Sequence, residues 1–121
     1  MKDLIAIEDF RKLDLHIGQI AEAERIEGSG KLLLLKVDLG QAKDSDESES
    51  REYLRQIVAG IGQVYEPEWL VGKQVVVLVN LRPRMVLGFE SHGMLVAIDS
   101  KTQGPTLLLP EKAVEVGSVL C

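Results

Sequence analysis

Cysteine and histidine are nearly missing from this 121-residue chain, and their scarcity excludes several kinds of site. The single cysteine, Cys121, has no second cysteine with which to form an intramolecular disulfide. The two histidines, His16 and His92, do not have the spacing of metal ligands. We therefore expect neither a disulfide framework nor a bound metal, and no motif predicts any other cofactor.

Long apolar runs are also absent. None approaches the roughly 20 residues that a membrane-spanning helix needs, and residues 1–14 interrupt their apolar side chains with acids, unlike a signal peptide. With 45% hydrophobic and 27% charged residues, the composition is that of a globular protein with a real core. We expect a single domain, 1–121, in a soluble protein of the reducing cytoplasm that does not associate with membranes.

Complete catalytic motifs are lacking as well. The letters "GSGK" at 28–31 look like a phosphate-binding loop, but the spacing of the Walker motif and the Ser or Thr after its lysine are missing, so a turn is expected. Ser91 and His92 are adjacent in a strand-like segment, where neighbouring side chains point apart, and no nucleophile elbow surrounds them. The sequence therefore predicts a protein that is not an enzyme.

Aromatic residues make up only 4% of the chain. The rings belong to Phe10, Tyr53, Tyr65, Trp69 and Phe89. Proteins that bind single strands stack bases on such rings, at about 1–3 kcal/mol per base. The short supply argues against such a platform, and Trp69 is expected in the core. If nucleic acid binds, contacts with backbone shape and phosphates should dominate.

Negative charge is unevenly distributed within the formal net charge of −5. Segment 41–52 has five acids, two bases and no apolar residue larger than alanine, which predicts an acidic surface loop. Segment 73–84 has three bases and no acid. The local distribution of charge is therefore a better guide to binding partners than the net charge.

Short runs of strand-forming residues dominate the rest of the chain. They lie at 15–26, 32–40, 53–58, 74–81 and 93–98, with a weaker sixth run at 106–109. Gly18 inside the first run predicts a bulge or a close backbone approach. Proline near the start and glycine at the end of 66–72 predict a short helix between the third and fourth strands, and 7–14 can form a helical turn or two.

This order predicts an all-β fold, namely an OB-fold: a five-stranded barrel with a short helix between strands 3 and 4 and a C-terminal strand extension. An SH3-like barrel or a short β-sandwich would share the number of strands. Neither explains the position of the helix as well.

Several patterns carry a family likeness. The run "DFRKLDLHIGQI" is followed in order by "KLLLLKVDLG", "YEPEWLVGKQVVVLVNLRPR" and "GFESHGM". From about residue 7 to residue 98 the chain resembles the tRNA-binding domain of free-standing structure-specific tRNA-binding proteins. The same domain forms the C-terminal extension or β subunit of methionyl-tRNA synthetases and resembles the export-related chaperone CsaA. The resemblance implies an OB-fold, a homodimer, and binding of tRNA by its shape at the outer corner of the L, alone or in trans with methionyl-tRNA synthetase.

The resemblance also implies a set of tRNA-facing residues. These are Lys31, Arg55, Asn80, Arg82, Arg84, Ser91 and Met94. In an extended stretch Arg82 and Arg84 would point to the same side and contact phosphates together, whereas the alternative is two solvated loop arginines. Asn80 could instead cap the edge of the barrel, Ser91 could stabilise a turn, and Met94 could belong to the core. Lys31 and Arg55 could equally be ordinary surface charges.

Two departures from the family pattern bear on affinity. Ala59 stands where the family often has serine, and the acidic segment 41–52 would repel phosphate if it folded over the site. Two other functions therefore stay open. One is a CsaA-like chaperone that binds unfolded polypeptides, and the other is a dimerisation module whose nucleic-acid site has been lost.

Overall fold

The computed structural model describes residues 1–40 and 54–121. The acidic segment 41–52, predicted as a surface loop, lies outside the described residues, as does Tyr53 at the start of the predicted third strand. The described residues form helices α1 (Ile7–Phe10) and α2 (Pro67–Leu70) and strands β1 (Leu15–Arg25), β2 (Leu33–Asp38), β3 (Leu54–Ala59), β4 (Gln74–Leu78), β5 (Arg84–Val86), β6 (Phe89–Ser91), β7 (Met94–Leu95), β8 (Ala97–Ser100) and β9 (Gly104–Leu107).

The main sheet is antiparallel and has the strand order β3-β2-β1-β4-β7. Its central strand, β1, is long enough to pair with β4 through residues 15–19 and with β2 through residues 19–25. The register with β2 shifts between Ile20 and Glu22, and such a bulge bends the strand where it changes partner. The sheet curls into a nearly closed barrel of five strands, so the predicted all-β OB-fold is confirmed.

The barrel interior is filled by alternate side chains of these strands. The most completely buried members are Ile20, Leu33, Leu35, Val37, Ile57, Val75 and Val77. Leu34 points out of the barrel and is nevertheless buried, in a second cluster with Ile26 and Val58. This second cluster explains why the sequence at 32–35 is apolar throughout, since β2 is covered on both faces there.

Segment 91–93 forms hydrogen bonds with β3 beside β7. The His92 backbone N–H donates to the carbonyl of Gln56 at 2.8 Å. The Val58 backbone N–H donates to Ser91 Oγ at 3.0 Å. The end of β6 therefore lies against β3 and nearly closes the barrel.

Helix α2 lies between β3 and β4, as predicted, with a proline in its first turn and Gly72 just beyond its end at φ +91°. Leu70 is fully buried beneath the barrel. The expectation of a core Trp69 was wrong, since this side chain is 46% exposed. Its ring stacks on Tyr65 with 5.3 Å between centroids, and Lys73 Nζ lies 4.3 Å from the Trp69 ring centroid, a cation–π contact on the surface.

Strand β4 is shorter than the predicted 74–81, because the chain turns to the N-terminal segment after Leu78. The Val79 N–H donates to the carbonyl of Asp14 at 2.9 Å. The side chain of Asn80 then accepts from the Asp14 N–H at 3.0 Å and donates to the Lys12 carbonyl at 2.7 Å. Beyond Val79, therefore, a side chain takes the place of the backbone in bonding to the segment before β1, and the strand ends.

The predicted fifth strand, 93–98, is divided between β7 and β8, which separate at Val96. The Val96 N–H still donates to the carbonyl of Val76 at 2.9 Å, so the chain stays on β4 through the break. β8 then pairs with β9, near the predicted run at 106–109. Beyond it the tail returns to the central strand, where the Ile17 N–H donates to the Ser118 carbonyl at 2.8 Å.

The N-terminal segment leaves apolar side chains uncovered. Helix α1 has no buried residue. The exposed apolar side chains of this segment include Leu4, Ile5, Ile7, Phe10 and Leu13. No helix within 1–40 or 54–121 has the length and apolar character to cross a membrane.

Candidate nucleic-acid interface

A β-hairpin that the sequence did not predict follows the central sheet. Strands β5 and β6 pair antiparallel, with Val86 opposite Phe89, so only Leu87 and Gly88 form the loop. Both loop residues have positive φ, 47° for Leu87 and 85° for Gly88, as in a type I′ turn. Glycine adopts this conformation freely, whereas leucine in the left-handed region costs roughly 1–2 kcal/mol.

The hairpin packs on the outer face of β2 and β3. Val86 contacts the cluster of Ile26, Leu34 and Val58, and Leu32 packs against the same cluster. Since Leu32 directly follows Lys31 in the turn between β1 and β2, this packing brings the β1–β2 turn towards the end of the hairpin. OB-folds bind oligonucleotides with the loops between strands 1 and 2 and between strands 4 and 5. The hairpin and this turn occupy those two positions.

Ser91 holds the hairpin to the barrel. Its side chain is only 1% exposed, and its hydroxyl accepts the Val58 N–H at 3.0 Å and lies 3.4 Å from the Gly93 carbonyl, to which it donates. Gln56 adds a second attachment, because its Nε2 donates to the Glu90 carbonyl at 3.0 Å. Of the two interpretations of Ser91, this arrangement supports the structural one.

Arg82 and Arg84 are exposed on either side of Pro83, at the base of the hairpin. Arg84 lies opposite Ser91 in the β5–β6 pairing. Within the described part of the chain, no carboxylate oxygen lies within 4.0 Å of either guanidinium. Each guanidinium presents five N–H donors in a planar fork, which suits the oxygen atoms of a phosphate.

Arg55, Asn80 and Met94 lie around the end of β4. Arg55 is half-buried, and its Nη1 donates to the Val79 carbonyl at 2.7 Å, which links β3 to the chain beyond β4. The Asn80 amide is bonded to the N-terminal segment through both its oxygen and its nitrogen. Met94 pairs with Leu78 and is 44% exposed, so it is a surface residue and not a core one.

The structure therefore divides the predicted tRNA-facing set into two groups and one buried member. Lys31, Arg82 and Arg84 are exposed in or beside the hairpin and the β1–β2 turn. Arg55, Asn80 and Met94 surround the end of β4, where the first two already serve the fold. Ser91 is internal.

Sequence reasoning missed two exposed side chains on the hairpin. Met85 is 65% exposed and Leu87 is 59% exposed. The only signal was the pair of letters "LG" between two short β-forming runs, which is a weak hairpin pattern because Asn or Asp is usual before the glycine. The outward side of the hairpin also carries Glu90, whose Oε1 lies 3.2 Å from His92 Nε2.

Among the described residues, no group of three or more histidine, cysteine, aspartate or glutamate side chains is placed to hold a metal ion.

Two shallow hollows lie on the outer face of β1, β2 and β3. The larger has a volume of about 210 Å³ and is lined by Glu22, Lys36, Leu54 and Gln56. The exposed hairpin and the turn beside it are the more prominent surface.

A match to a known protein family identifies the domain. Residues 15–119 match the family described as "Putative tRNA binding domain". The chain belongs to this tRNA-binding domain family. The predicted family membership is thus confirmed, and the matched residues include the whole barrel, the hairpin and the returning tail.

Relatives of this tRNA-binding domain include parts of larger enzymes. It is 48% identical over 119 residues to the methionine–tRNA ligase of Methanococcoides burtonii, which covers 98% of the chain and 16% of the ligase. It is 42% identical over 119 residues to that of Helicobacter pylori, which covers 98% of the chain and 17% of the ligase. The domain therefore spans about a sixth of the length of these ligases.

Solved structures resemble the tRNA-binding domain along its whole length. A methionyl-tRNA-synthetase-related protein from Pyrococcus horikoshii has a TM-score of 0.83 at 31% identity, with 99% of this chain and 100% of that chain covered. The chaperone CsaA from Bacillus anthracis has a TM-score of 0.81 at 28% identity, with 98% and 100% covered. Both share the barrel described above.

Proposed function

We propose that this domain binds folded tRNA without catalysing a reaction, and that the β5–β6 hairpin and the β1–β2 turn form the binding surface. The observation that carries the proposal is the pair Arg82 and Arg84. Both arginines are exposed, and neither takes part in an ion pair among the described residues. Their hairpin packs beside the turn that contains Lys31. Membership of the tRNA-binding domain family supports tRNA as the ligand.

The chemistry of the surface favours recognition of shape and backbone over recognition of base sequence. Arginine and lysine contact phosphates, and such contacts position a protein on nucleic acid without reading its sequence. Trp69 and Tyr65 stack on each other beside α2, so these two rings are not spread along the hairpin as a platform for single-stranded bases. Folded RNA presents a fixed array of phosphates, and a rigid hairpin fits an array of this kind.

We propose that the domain supplies tRNA affinity either alone or to a methionyl-tRNA synthetase acting in trans. Its relatives are segments of about a sixth of methionine–tRNA ligases, and a protein described as related to methionyl-tRNA synthetase has the same fold over its full length. A non-covalent tRNA-binding domain would raise the local concentration of tRNA near the catalytic subunit. The cytoplasm is the compartment in which we place this role.

A second copy of the chain is the proposed partner of the N-terminal segment, giving a homodimer. Helix α1 has no buried residue, and Leu4 and Ile5 are 97% and 70% exposed. The end of the segment is nevertheless attached to the barrel, because Asn80 forms hydrogen bonds with the backbone of Lys12 and Asp14. An apolar face held in place in this way is suited to burial against another surface.

The experiment that tests the proposed function compares RNA shapes. Equilibrium binding of the wild-type protein to a folded tRNA is measured against binding to unstructured polyuridine of the same length, at one salt concentration. We expect the folded tRNA to bind more tightly, because the surface is a fixed hairpin with dispersed cations. Equal affinity for the two RNAs would contradict shape recognition, and no binding of either at low salt would contradict the proposed function.

A CsaA-like chaperone activity is the second candidate, and a specific observation favours it. The exposed Met85 and Leu87 are adaptable apolar side chains of the kind that bind unfolded polypeptides, and the chaperone CsaA has the same fold. In an aggregation assay with an unfolded client, this candidate predicts suppression that does not change when Arg82 and Arg84 are replaced by alanine. A dimer that neither binds tRNA nor suppresses aggregation would instead indicate a dimerisation module.

A further inference from the structure

Leu87 is a strained and exposed residue in the turn of the hairpin. Its φ is 47°, the one positive value on a residue other than glycine in the described ranges, and its side chain is 59% exposed. Asparagine or glycine would occupy this turn position with less strain. The two-residue turn requires positive φ at this position, but leucine is not the residue that adopts it most easily, so an exposed leucine here points to a role in binding.

The side chains around Leu87 combine apolar surface with positive charge. Met85 lies two residues before it and is 65% exposed, and Phe89 lies two residues after it and is 37% exposed. Arg82 and Arg84 are exposed at the base of the same hairpin. The acid on this element, Glu90, lies opposite Met85 and has its carboxylate 3.2 Å from His92 Nε2.

Nucleic acid has the matching combination of chemistry. A nucleobase that ends a stack presents a flat apolar face, and its flanking phosphates lie a few ångströms away. Proteins place leucine, methionine or phenylalanine against such faces while cations contact the backbone. An unfolded polypeptide would match the apolar residues but would leave the arginines without a defined role.

We propose that Leu87, supported by Met85, packs against an unstacked base face of the bound tRNA while Arg82 and Arg84 contact the adjacent phosphates. The inference rests on the proposed function and adds to it the kind of feature that the hairpin contacts. It makes the left-handed turn a device that projects an apolar side chain away from the barrel. The strain is then offset by the contact in the complex.

The test uses Leu87→Asn, which separates stability from binding. Asparagine tolerates positive φ, so the melting temperature should be equal to or higher than that of the wild-type protein. The affinity for folded tRNA should fall about tenfold, since burying part of a leucine side chain against an apolar face is worth roughly that much. Because no charge changes, the slope of log affinity against log salt should stay the same.

Two further variants complete the experiment. Leu87→Met keeps an apolar side chain and should bind tRNA within about twofold of the wild-type protein. Met85→Gln removes the supporting apolar side chain and should also weaken binding. The inference would be overturned if Leu87→Asn bound folded tRNA as tightly as the wild-type protein. It would also be overturned if the variant had a lower melting temperature that accounted for its weaker binding. Neither result would affect the proposed function, which is tested separately by the binding of the wild-type protein to folded tRNA and to polyuridine.

Discussion

Ser91 shows how one buried hydroxyl determines the position of a binding element. Its oxygen accepts the Val58 N–H at 3.0 Å in a site where the serine is 1% exposed. Val58 is on β3 and Ser91 ends β6, so this bond fixes the hairpin to the barrel. The same bond therefore also sets the position of Arg84 on the opposite strand.

Replacing Ser91 with alanine should destabilise the protein. The Val58 N–H would remain buried without an acceptor, and an unsatisfied buried donor costs about 1–3 kcal/mol. Chemical denaturation should show this as a lower midpoint. The control is Ser118→Ala, which removes a hydroxyl from an exposed hydrogen bond to the Glu115 carbonyl and should change stability by about 0.5 kcal/mol or less. Equal midpoints for the two variants would contradict the structural role.

Arg55 and Asn80 show the limit of residue-level prediction. The sequence left Asn80 as a tRNA contact or a cap at the barrel edge, and Arg55 as a tRNA contact or an ordinary surface charge. In the structure both side chains have hydrogen-bond partners within the fold. The partners, however, are distant in sequence: Arg55 bonds to a carbonyl 24 positions away, and Asn80 to an amide 66 positions away. The pattern of residue types along the chain indicates local periodicity but does not show which distant groups meet. The hydrogen bonds of Arg55 and Asn80 within the fold could therefore be found only from the structure.

At the scale of elements, β1 determines the shape of the barrel. It pairs with β4 on one side and with β2 on the other, and Gly18 lies in the part that faces Val37 and Val77. The sequence predicted a bulge or a close backbone approach at this glycine. Side chains rather than another backbone approach it closely, and the bulge lies further along, between Ile20 and Glu22. The absence of a side chain at Gly18 gives the inward side chains of β2 and β4 room to meet.

A methyl group at position 18 should therefore be costly. An alanine Cβ there would lie 2.6 Å from Val37 Cγ1 and 3.2 Å from Val77 Cγ2. Overpacking of this kind typically costs 1–3 kcal/mol, so we expect Gly18→Ala to lower the free energy of unfolding by about 1–3 kcal/mol. The matched control is Gly30→Ala, where nothing lies within 4 Å of the added Cβ. Denaturant unfolding that shows the same stability for both would contradict this account of the core.

Other elements differ in how far sequence could predict them. The helix after β3 was predictable because a proline and Gly72 mark its ends. The hairpin was not, because β5 and β6 have three residues each and Leu87 occupies a position where Asn or Asp would have signalled the turn. Trp69 was misplaced because an apolar residue type does not reveal a surface contact with Lys73.

At the scale of the whole molecule, the uncovered N-terminal face is the basis for the proposed homodimer. Leu4, Ile5 and Ile7 are 97%, 70% and 55% exposed. They lie on a segment whose end is bonded to Asn80 at Lys12 and Asp14. Two copies that bury this face against each other would present two hairpins to one RNA. Two linked sites bind more tightly than either alone when the geometry lets both engage.

Replacing Ile5 with glutamate should disrupt the dimer. Burial of a charged side chain in an apolar interface is costly, so the variant should sediment as a monomer at concentrations where the wild-type protein sediments as a dimer. The control is Val71→Glu, because Val71 is 49% exposed beside α2 and outside the N-terminal face. A wild-type monomer, or a dimer that tolerates Ile5→Glu, would contradict the proposed interface.

Much of the negative charge of the molecule lies in one segment, away in sequence from Arg82 and Arg84. The net charge is −5, but segment 41–52 accounts for −3 of it, with five acids against two bases. Arg82 and Arg84 are consequently a local positive site on an acidic protein. Binding through a local site has a measurable signature, because each phosphate contact releases counterions on its own.

The most direct test of the central claim is tRNA affinity measured over a salt series for three proteins. The first two are the wild-type protein and the double variant Arg82→Ala with Arg84→Ala. The third is a control with the same change in charge, Lys101→Ala with Lys112→Ala, which replaces two exposed lysines outside the hairpin. We expect weaker binding by the arginine variant, and a slope of log affinity against log salt that is smaller in magnitude by about two. The lysine variant should keep the wild-type slope. Identical slopes for both variants, or no wild-type binding at low salt, would contradict the claim that this hairpin contacts tRNA phosphates.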